Sequence, residues 1–289
     1  MDTGNWVEEL RKEFPGLSSA GQWILCDSPG GTQVHQVLSH SIPGSGHFQI
    51  MLQDVISAVS AKMSGTTANL GMTYPSAMET VRGVARAREV VATFLNCSQG
   101  EVVFGANMTS ITNHLARSVG RTLSKSDNVL LTSLDHDANV TPWKLVAEEH
   151  GAEIRVIDFN PTNCCHDLDK LETYCDKNTR LVAIGAAANS CGTLTDIKEV
   201  VAVVKRASAG AALVYVDAVH LAPHRLIDVK DLGCDFLVCS SYKFCGPHAG
   251  ILYGRETLLR QTSVLTHDNL STFLTTNTVS VALVRQNIN

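Results

Sequence analysis

Two hydrophobic rhythms alternate along this chain. Short apolar runs fall at residues 102–104, 129–131, 154–156, 181–184, 213–216 and 236–238. Between most of them, apolar residues recur at helical spacing, over about 108–119, 138–150, 167–176 and 196–208. Runs with little polar alternation predict strands buried on both faces. Their regular exchange with helices predicts an α/β fold, a parallel sheet with helices on both sides. The run 251–253 follows the preceding strand after only a Gly-Pro turn. That gap is too short for a helical crossover, so 251–253 is expected to be an antiparallel seventh strand. Upstream, helices are predicted at 6–14, 54–64 and 78–97, the last with Val81, Val84, Ala85, Val91, Phe94 and Leu95 at helical spacing. Residues 23–26 read as a short strand, closed by the turn Asp27-Ser-Pro-Gly-Gly-Thr32. Residues 37–53 have loop composition. After Arg260 the chain is rich in Thr, Ser and Asn with weak periodicity.

Composition narrows the classes. The 289 residues are 44% hydrophobic and 18% charged, enough for one large core. A net charge of −5, with Lys and Arg scattered, gives no reason to expect nucleic-acid binding. No apolar run approaches the roughly 20 residues of a membrane span, and the acidic amphipathic start does not read as a secretory signal. Nine cysteines, an odd number without CxxC or Cys/His ligand spacing, read as reduced structural thiols in a cytosol-like compartment. Cys191 and Cys239 are expected in apolar surroundings. No metal site is expected.

In open α/β sheets ligands bind at the carboxyl ends of the strands, so the polar residues there are the candidate site. After 102–104 come Gly105, Asn107, Met108 and Thr109. Free N–H groups at a helix start suit a phosphate, and a plain N-cap is the competing reading. After 129–131 comes His136, whose flat ring could stack on an aromatic cofactor or serve a helix cap. Asn189 follows small residues after 181–184, where close approach to the backbone is possible, or is an ordinary turn residue. Asp217 ends the run 213–216. A carboxylate there is costly without a partner such as a protonated pyridine nitrogen, a cap or an ion pair. Ser240, Tyr242 and Lys243 follow 236–238. A lysine between an apolar strand and a Gly-Pro turn is expected at the edge of a buried site. Desolvation there would favour the neutral, nucleophilic amine that a Schiff base needs. Taken together the set points to pyridoxal 5'-phosphate. A nicotinamide enzyme is the rival, but no GxGxxG follows a strand.

The same residues resemble the class V aminotransferase family, on its cysteine desulfurase-like branch, over most of residues 22–257. The motifs are Asp27-Ser-Pro-Gly-Gly-Thr-Gln, Asn69-Leu-Gly, Val102-Val-Phe-Gly-Ala-Asn-Met-Thr-Ser, Leu134-Asp-His-Asp-Ala-Asn-Val, Val216-Asp-Ala-Val-His and Ser240-Ser-Tyr-Lys. The resemblance implies a fold-type-I large domain with a mostly parallel seven-stranded sheet. It implies that Lys243 forms the Schiff base and moves a proton, that Asp217 pairs with the ring nitrogen and that His136 stacks on the ring. Asn189 and His220 would lie near the phenolic oxygen. Asn107, Met108, Thr109, Ser240 and Tyr242 would hold the phosphate, and Gly31 and Thr32 would line the substrate side. It further implies a small amino-acid substrate, transferase or lyase chemistry, a homodimer and a cytoplasmic setting. The expected organisation is an N-terminal segment at 1–53, in which 37–53 is extra to the family, a cofactor-binding domain at 54–257 and a divergent tail at 258–289 in place of most of the small domain. The alternative is a protein of this fold that binds cofactor or a partner without turnover.

Overall fold

A computed structural model describes residues 53–65, 68–70 and 72–261. The elements expected at 6–14 and 23–26, the loop before residue 53, Gly31, Thr32 and the tail beyond residue 261 lie outside the described residues. The chain divides into two compact units, one of residues 1–67 and 240–249 and the other of residues 68–239 and 250–289.

The larger unit is built on the sheet. Its strands are β1 (Val102–Gly105), β2 (Asn128–Thr132), β3 (Glu153–Ile157), β6 (Thr179–Gly185), β7 (Leu213–Asp217), β8 (Phe236–Ser240) and β9 (Gly250–Gly254). A separate two-residue hairpin pairs β4 (Phe159–Asn160) with β5 (Cys165–His166). The seven strands lie in the order β1-β9-β8-β7-β6-β2-β3. The pairs β2/β3, β2/β6, β6/β7 and β7/β8 are parallel, whereas β9 runs antiparallel to β1. Every residue of β2, β8 and β9 is buried, as runs covered on both faces require.

The helices are α1 (Gln53–Ser64), α2 (Pro75–Leu95), α3 (Met108–Gly120), α4 (Thr141–His150), α5 (Leu171–Tyr174), α6 (Ile197–Ala207), α7 (Val229–Leu232) and α8 (Glu256–Gln261). The helix expected over 78–97 stops at Leu95, because Asn96 takes left-handed backbone (φ 54) and returns its N–H to Ala92 and Thr93 carbonyls. The helix expected over 138–150 is split. A 3-10 turn at Asp137–Asn139 precedes α4, and Pro142, which lacks an N–H, sits in the first turn of α4. The expected 167–176 helix shrinks to a 3-10 turn and the single turn of α5. The β4–β5 hairpin and α7 are too short to carry a readable period.

Trp143 and Tyr215 are fully buried and meet edge to face, centroids 4.9 Å apart at 65°. The Tyr215 hydroxyl is satisfied by Thr112 at 2.6 Å. Ile197, Val200, Val203 and Val204 bury one stripe of α6. Asp235, 2% exposed, accepts from Lys205 Nζ at 2.7 Å and from the Val214 N–H at 2.8 Å, with Arg255 Nε 3.4 Å away. This cluster lies where β7 and β8 begin, away from their carboxyl ends. No helix among the described residues is long and apolar enough to cross a membrane.

Candidate active site

At the carboxyl ends of β6 and β7, Gly185 and Asp217 are register partners. Asp217 is 8% exposed and its Oδ1 accepts the Val219 N–H at 2.9 Å. That local cap orients the carboxylate at the strand end. His220, half-buried, follows three residues after Asp217.

A second carboxylate lies in this region. Asp135, just past the end of β2, accepts the Gly185 N–H through Oδ1 at 2.8 Å and the Asn139 amide through Oδ2 at 2.9 Å. Asn139 in turn accepts from the Trp143 indole at 3.3 Å. The chain Trp143–Asn139–Asp135–Gly185 therefore ties the core to the ends of β2 and β6. Gly185 is needed at this point, since a Cβ there would stand 2.6 Å from Asp135 Oδ1. Burial, and then repulsion from Asp217, push the Asp135 carboxyl up to about 7, against hydrogen bonds from Gly185 and Asn139 that pull it down. Two carboxylates that repel each other in this way favour a cation beside them, or a proton on Asp135.

His136 is exposed, and its Nδ1 accepts the Ala138 N–H at 3.1 Å, capping the 3-10 turn. That bond leaves Nε2 as the protonated nitrogen of the neutral ring. Both readings of His136 thus remain compatible, because a cap at Nδ1 leaves the ring faces uncommitted.

After β1, Asn107 caps α3 by accepting the Ser110 N–H at 2.8 Å. The Met108 side chain is buried in the core, so only its backbone can serve a ligand, while Thr109 is exposed. Gly250 opens β9 beside this helix start, where an added Cβ would meet the Asn107 backbone at 2.5 Å. Only glycine lets the two main chains approach this closely. Asn189 is half-buried in the loop leaving β6.

The smaller unit includes Ser240–Ala249, from the last residue of β8 onward. Ser240 is buried, and Ser241–Phe244 form a 3-10 turn. The Ser241 hydroxyl donates to the Pro247 carbonyl at 2.6 Å, and the Gly246 N–H to Ser241 O at 2.9 Å, which folds the Gly-Pro turn back on itself. Lys243 is half-buried, its amine 5.2 Å from the centre of the Tyr242 ring, and that ring stacks on His248 at 4.4 Å.

Sequence reasoning missed Asp135 and Asn139. The available signal for Asp135 was the one that found Asp217, a carboxylate directly after an apolar strand. Cys191 needs correction. It is exposed at a loop tip, whereas Cys239 is fully buried as expected. A cleft of about 420 Å³ lined by Glu101, Lys230, Tyr253 and Arg255 opens at the opposite ends of the strands and is separate from this site.

A mostly parallel seven-stranded sheet with helices packed on it and polar residues gathered at its carboxyl ends defines an open α/β sheet protein with a strand-end site. The family described as Aminotransferase class-V matches residues 50–277, and the chain belongs to it, on its cysteine desulfurase-like branch. A cysteine desulfurase of Pectobacterium atrosepticum is 34% identical over 261 residues, covering 88% of this chain and 59% of the relative. An aminotransferase-like protein of Gibberella zeae is 32% identical over 264 residues, covering 90% and 60%. Among solved structures, the Escherichia coli cysteine desulfurase CsdA superposes with a TM-score of 0.73 at 26% identity, over 89% of this chain and 59% of that one. A cysteine desulfurase of Thermococcus onnurineus gives 0.75 at 24% identity, a likeness of fold. The chain spans 59% of the length of the first of these relatives.

Proposed function

We propose that this chain is a pyridoxal 5'-phosphate enzyme acting on a small amino acid. The observation that carries the reading is Asp217, buried at the end of β7 beside Asp135, in a chain of this family. The donor set fits the cofactor. Asp217 offers a buried carboxylate to a ring N–H, His136 an exposed imidazole, and the first turn of the 13-residue α3 a set of backbone N–H groups for a phosphate. When bound, the cofactor supplies an electron-withdrawing pyridinium that makes the substrate's alpha C–H acidic.

In this reading the Asp217 carboxylate would pair with the ring nitrogen, and Asp135, fixed by the Gly185 N–H and the Asn139 amide, would stand behind it. His136, its orientation set by the Ala138 N–H, would offer its ring face to the cofactor. Asn189 and His220 bind at the phenolic oxygen. The N–H groups of the Asn107–Thr109 turn would bind the phosphate, a role the family resemblance also gives to Ser240 and Tyr242. Lys243 would be the covalent anchor and would move the proton at the alpha carbon, and the family resemblance gives Gly31 and Thr32 the substrate side. The family reading carries with it a homodimer and a cytoplasmic setting, and L-cysteine is the first substrate to try.

The test is spectroscopic. Purified protein mixed with pyridoxal phosphate should gain a visible absorbance band that Lys243→Ala abolishes, and L-cysteine or another amino acid should change that band. Identical spectra for wild type and Lys243→Ala would overturn the assignment of Lys243. A band that no amino acid perturbs would overturn turnover while leaving cofactor binding intact.

A further inference from the structure

Eight cysteines, none of them in a disulfide, lie among the described residues, and two of them sit on loop tips that meet. The loop leaving β6 folds back on itself. The Ala188 N–H donates to Thr193 O at 2.9 Å, Gly192 to Ala188 O at 2.9 Å and Thr195 to Ala186 O at 3.0 Å. Gly192, at φ 74, makes the turn and leaves Cys191 exposed at its tip. The β4–β5 hairpin ends in a similar turn. Cys164 donates its N–H to Asn160 O at 2.7 Å and takes left-handed backbone at φ 54, which a non-glycine residue rarely adopts. Thr193 joins the two tips, its hydroxyl 2.8 Å from the Cys164 carbonyl and 3.3 Å from Cys191 Sγ, so that its one proton can turn to the carbonyl or to a Cys191 thiolate.

The chemistry of Cys191 differs from that of its neighbours. Its thiol titrates below the ordinary cysteine value, held down first by the Thr193 hydroxyl, then by the Thr193 backbone N–H, with Ser190 and the Cys164 thiol adding to the effect. Burial instead pushes Cys97 and Cys175 up to about 11, and Cys234 and Cys239 to about 12. Cys165, adjacent to Cys164, turns its sulfur to Asn163 O at 3.5 Å. An exposed thiol with a stabilised thiolate and a second thiol beside it has the features of an oxidisable pair.

We propose that Cys191 and Cys164 form a thiol pair that a hydroperoxide closes into a disulfide, pinning the β6 exit loop, which carries Asn189, to the β4–β5 hairpin. The Cys191 thiolate attacks one peroxide oxygen, the O–O bond breaks and hydroxide leaves, giving a sulfenic acid at Cys191. The Cys164 sulfur then attacks the Cys191 sulfur, the S–O bond breaks and a second hydroxide leaves. The two sulfurs lose two electrons between them, and the peroxide, taking up the two thiol protons, ends as two water molecules, or as one water and one alcohol when it is organic. A thiol reductant reverses the bond.

The test is a disulfide map of the full chain after treatment with hydrogen peroxide at about equimolar ratio, read by mass spectrometry of unreduced peptides. The expected product is one cross-link between the Cys164 and Cys191 peptides, lost on adding dithiothreitol. In Cys164→Ser, Cys191 should remain a sulfenic acid and be trapped by dimedone, and in Cys191→Ser, Cys164 should stay reduced. Thr193→Val should slow alkylation of Cys191 at neutral pH several-fold with Cys165 unaffected. Cross-linking of Cys191 to Cys165, oxidation of Cys164 that persists in Cys191→Ser, or a Cys191 that stays a thiol while other cysteines oxidise would each overturn the pair.

Discussion

Replacing Asp135 by asparagine tests how the carboxylates at the strand ends are poised. In the folded chain Asp135 titrates at about 7, whereas an ordinary aspartate titrates at 3.8. Between these values the native state holds a proton that the unfolded chain has released. The contribution of Asp135 to stability is therefore complete below about pH 3.8 and is lost as pH rises through about 7. At ~1.4 kcal/mol per pH unit, wild type should lose roughly 2–3 kcal/mol between about pH 5 and about pH 8 through this one group. The carboxamide of the Asp135→Asn variant cannot titrate. Its oxygen can still accept the Gly185 N–H, but its NH2 group would face the Asn139 amide that now donates to Asp135 at 2.9 Å. The Asn139 oxygen is already engaged by Trp143. The substitution thus carries a pH-independent loss of about 1 kcal/mol. Urea unfolding of both chains, without added cofactor, at the two pH values separates the terms. Wild type should be the more stable at low pH, and the difference should shrink or reverse at high pH. A gap between the two proteins that stays constant across the range would refute the coupling of Asp135 to burial and to Asp217.

Three further outcomes follow from other parts of the structure. Asp217→Ala should slow exchange of the alpha proton far more than it weakens cofactor loading, and unchanged exchange measured by deuterium incorporation would contradict its role at the ring nitrogen. Asp235→Ala strips the partner from Lys205 and leaves the buried Val214 N–H unsatisfied. Both cations are partly exposed, so a loss of about 2–3 kcal/mol in denaturant unfolding is expected, below that for a fully buried pair, and a loss under about 1 kcal/mol would show that solvent already screens the cluster. Gly250→Ala places a methyl 2.5 Å from the Asn107 backbone, which cannot swing aside as a side chain could. About 1–3 kcal/mol of destabilisation and weaker pyridoxal-phosphate binding, by absorbance titration, are expected, and wild-type affinity would disconnect the α3 start from the phosphate.

The legible part of this protein was its periodic part. The strands at 102–104, 129–131, 181–184, 213–216 and 236–238, the antiparallel strand at 251–253 and the helix beginning at Met108 all follow from runs long enough to show a period, and each exists close to where the pattern puts it. The position of Asp217 was legible for a related reason, because an apolar run ends directly on it, and its bond to the Val219 N–H is the kind of local cap that the sequence allowed beside a ligand role. The two-residue strands of the β4–β5 hairpin were not legible, since so short a segment has no period. The 3-10 turn at Asp137–Asn139 was hidden inside a helical pattern that Pro142 interrupts.

Sequence alone therefore determined the class of sheet, the order of elements and the family, because burial on two faces writes a continuous apolar run and strand-end polar residues recur in readable motifs. Tertiary structure alone decided which strands are neighbours and so which side chains act together. Asp135 and Gly185 are 50 residues apart, yet a hydrogen bond joins them because β2 and β6 are adjacent in the sheet. The exposure of Cys191 and its meeting with the Cys164 loop were likewise decided in space, by how two loops fold back, which no local hydrophobic pattern encodes.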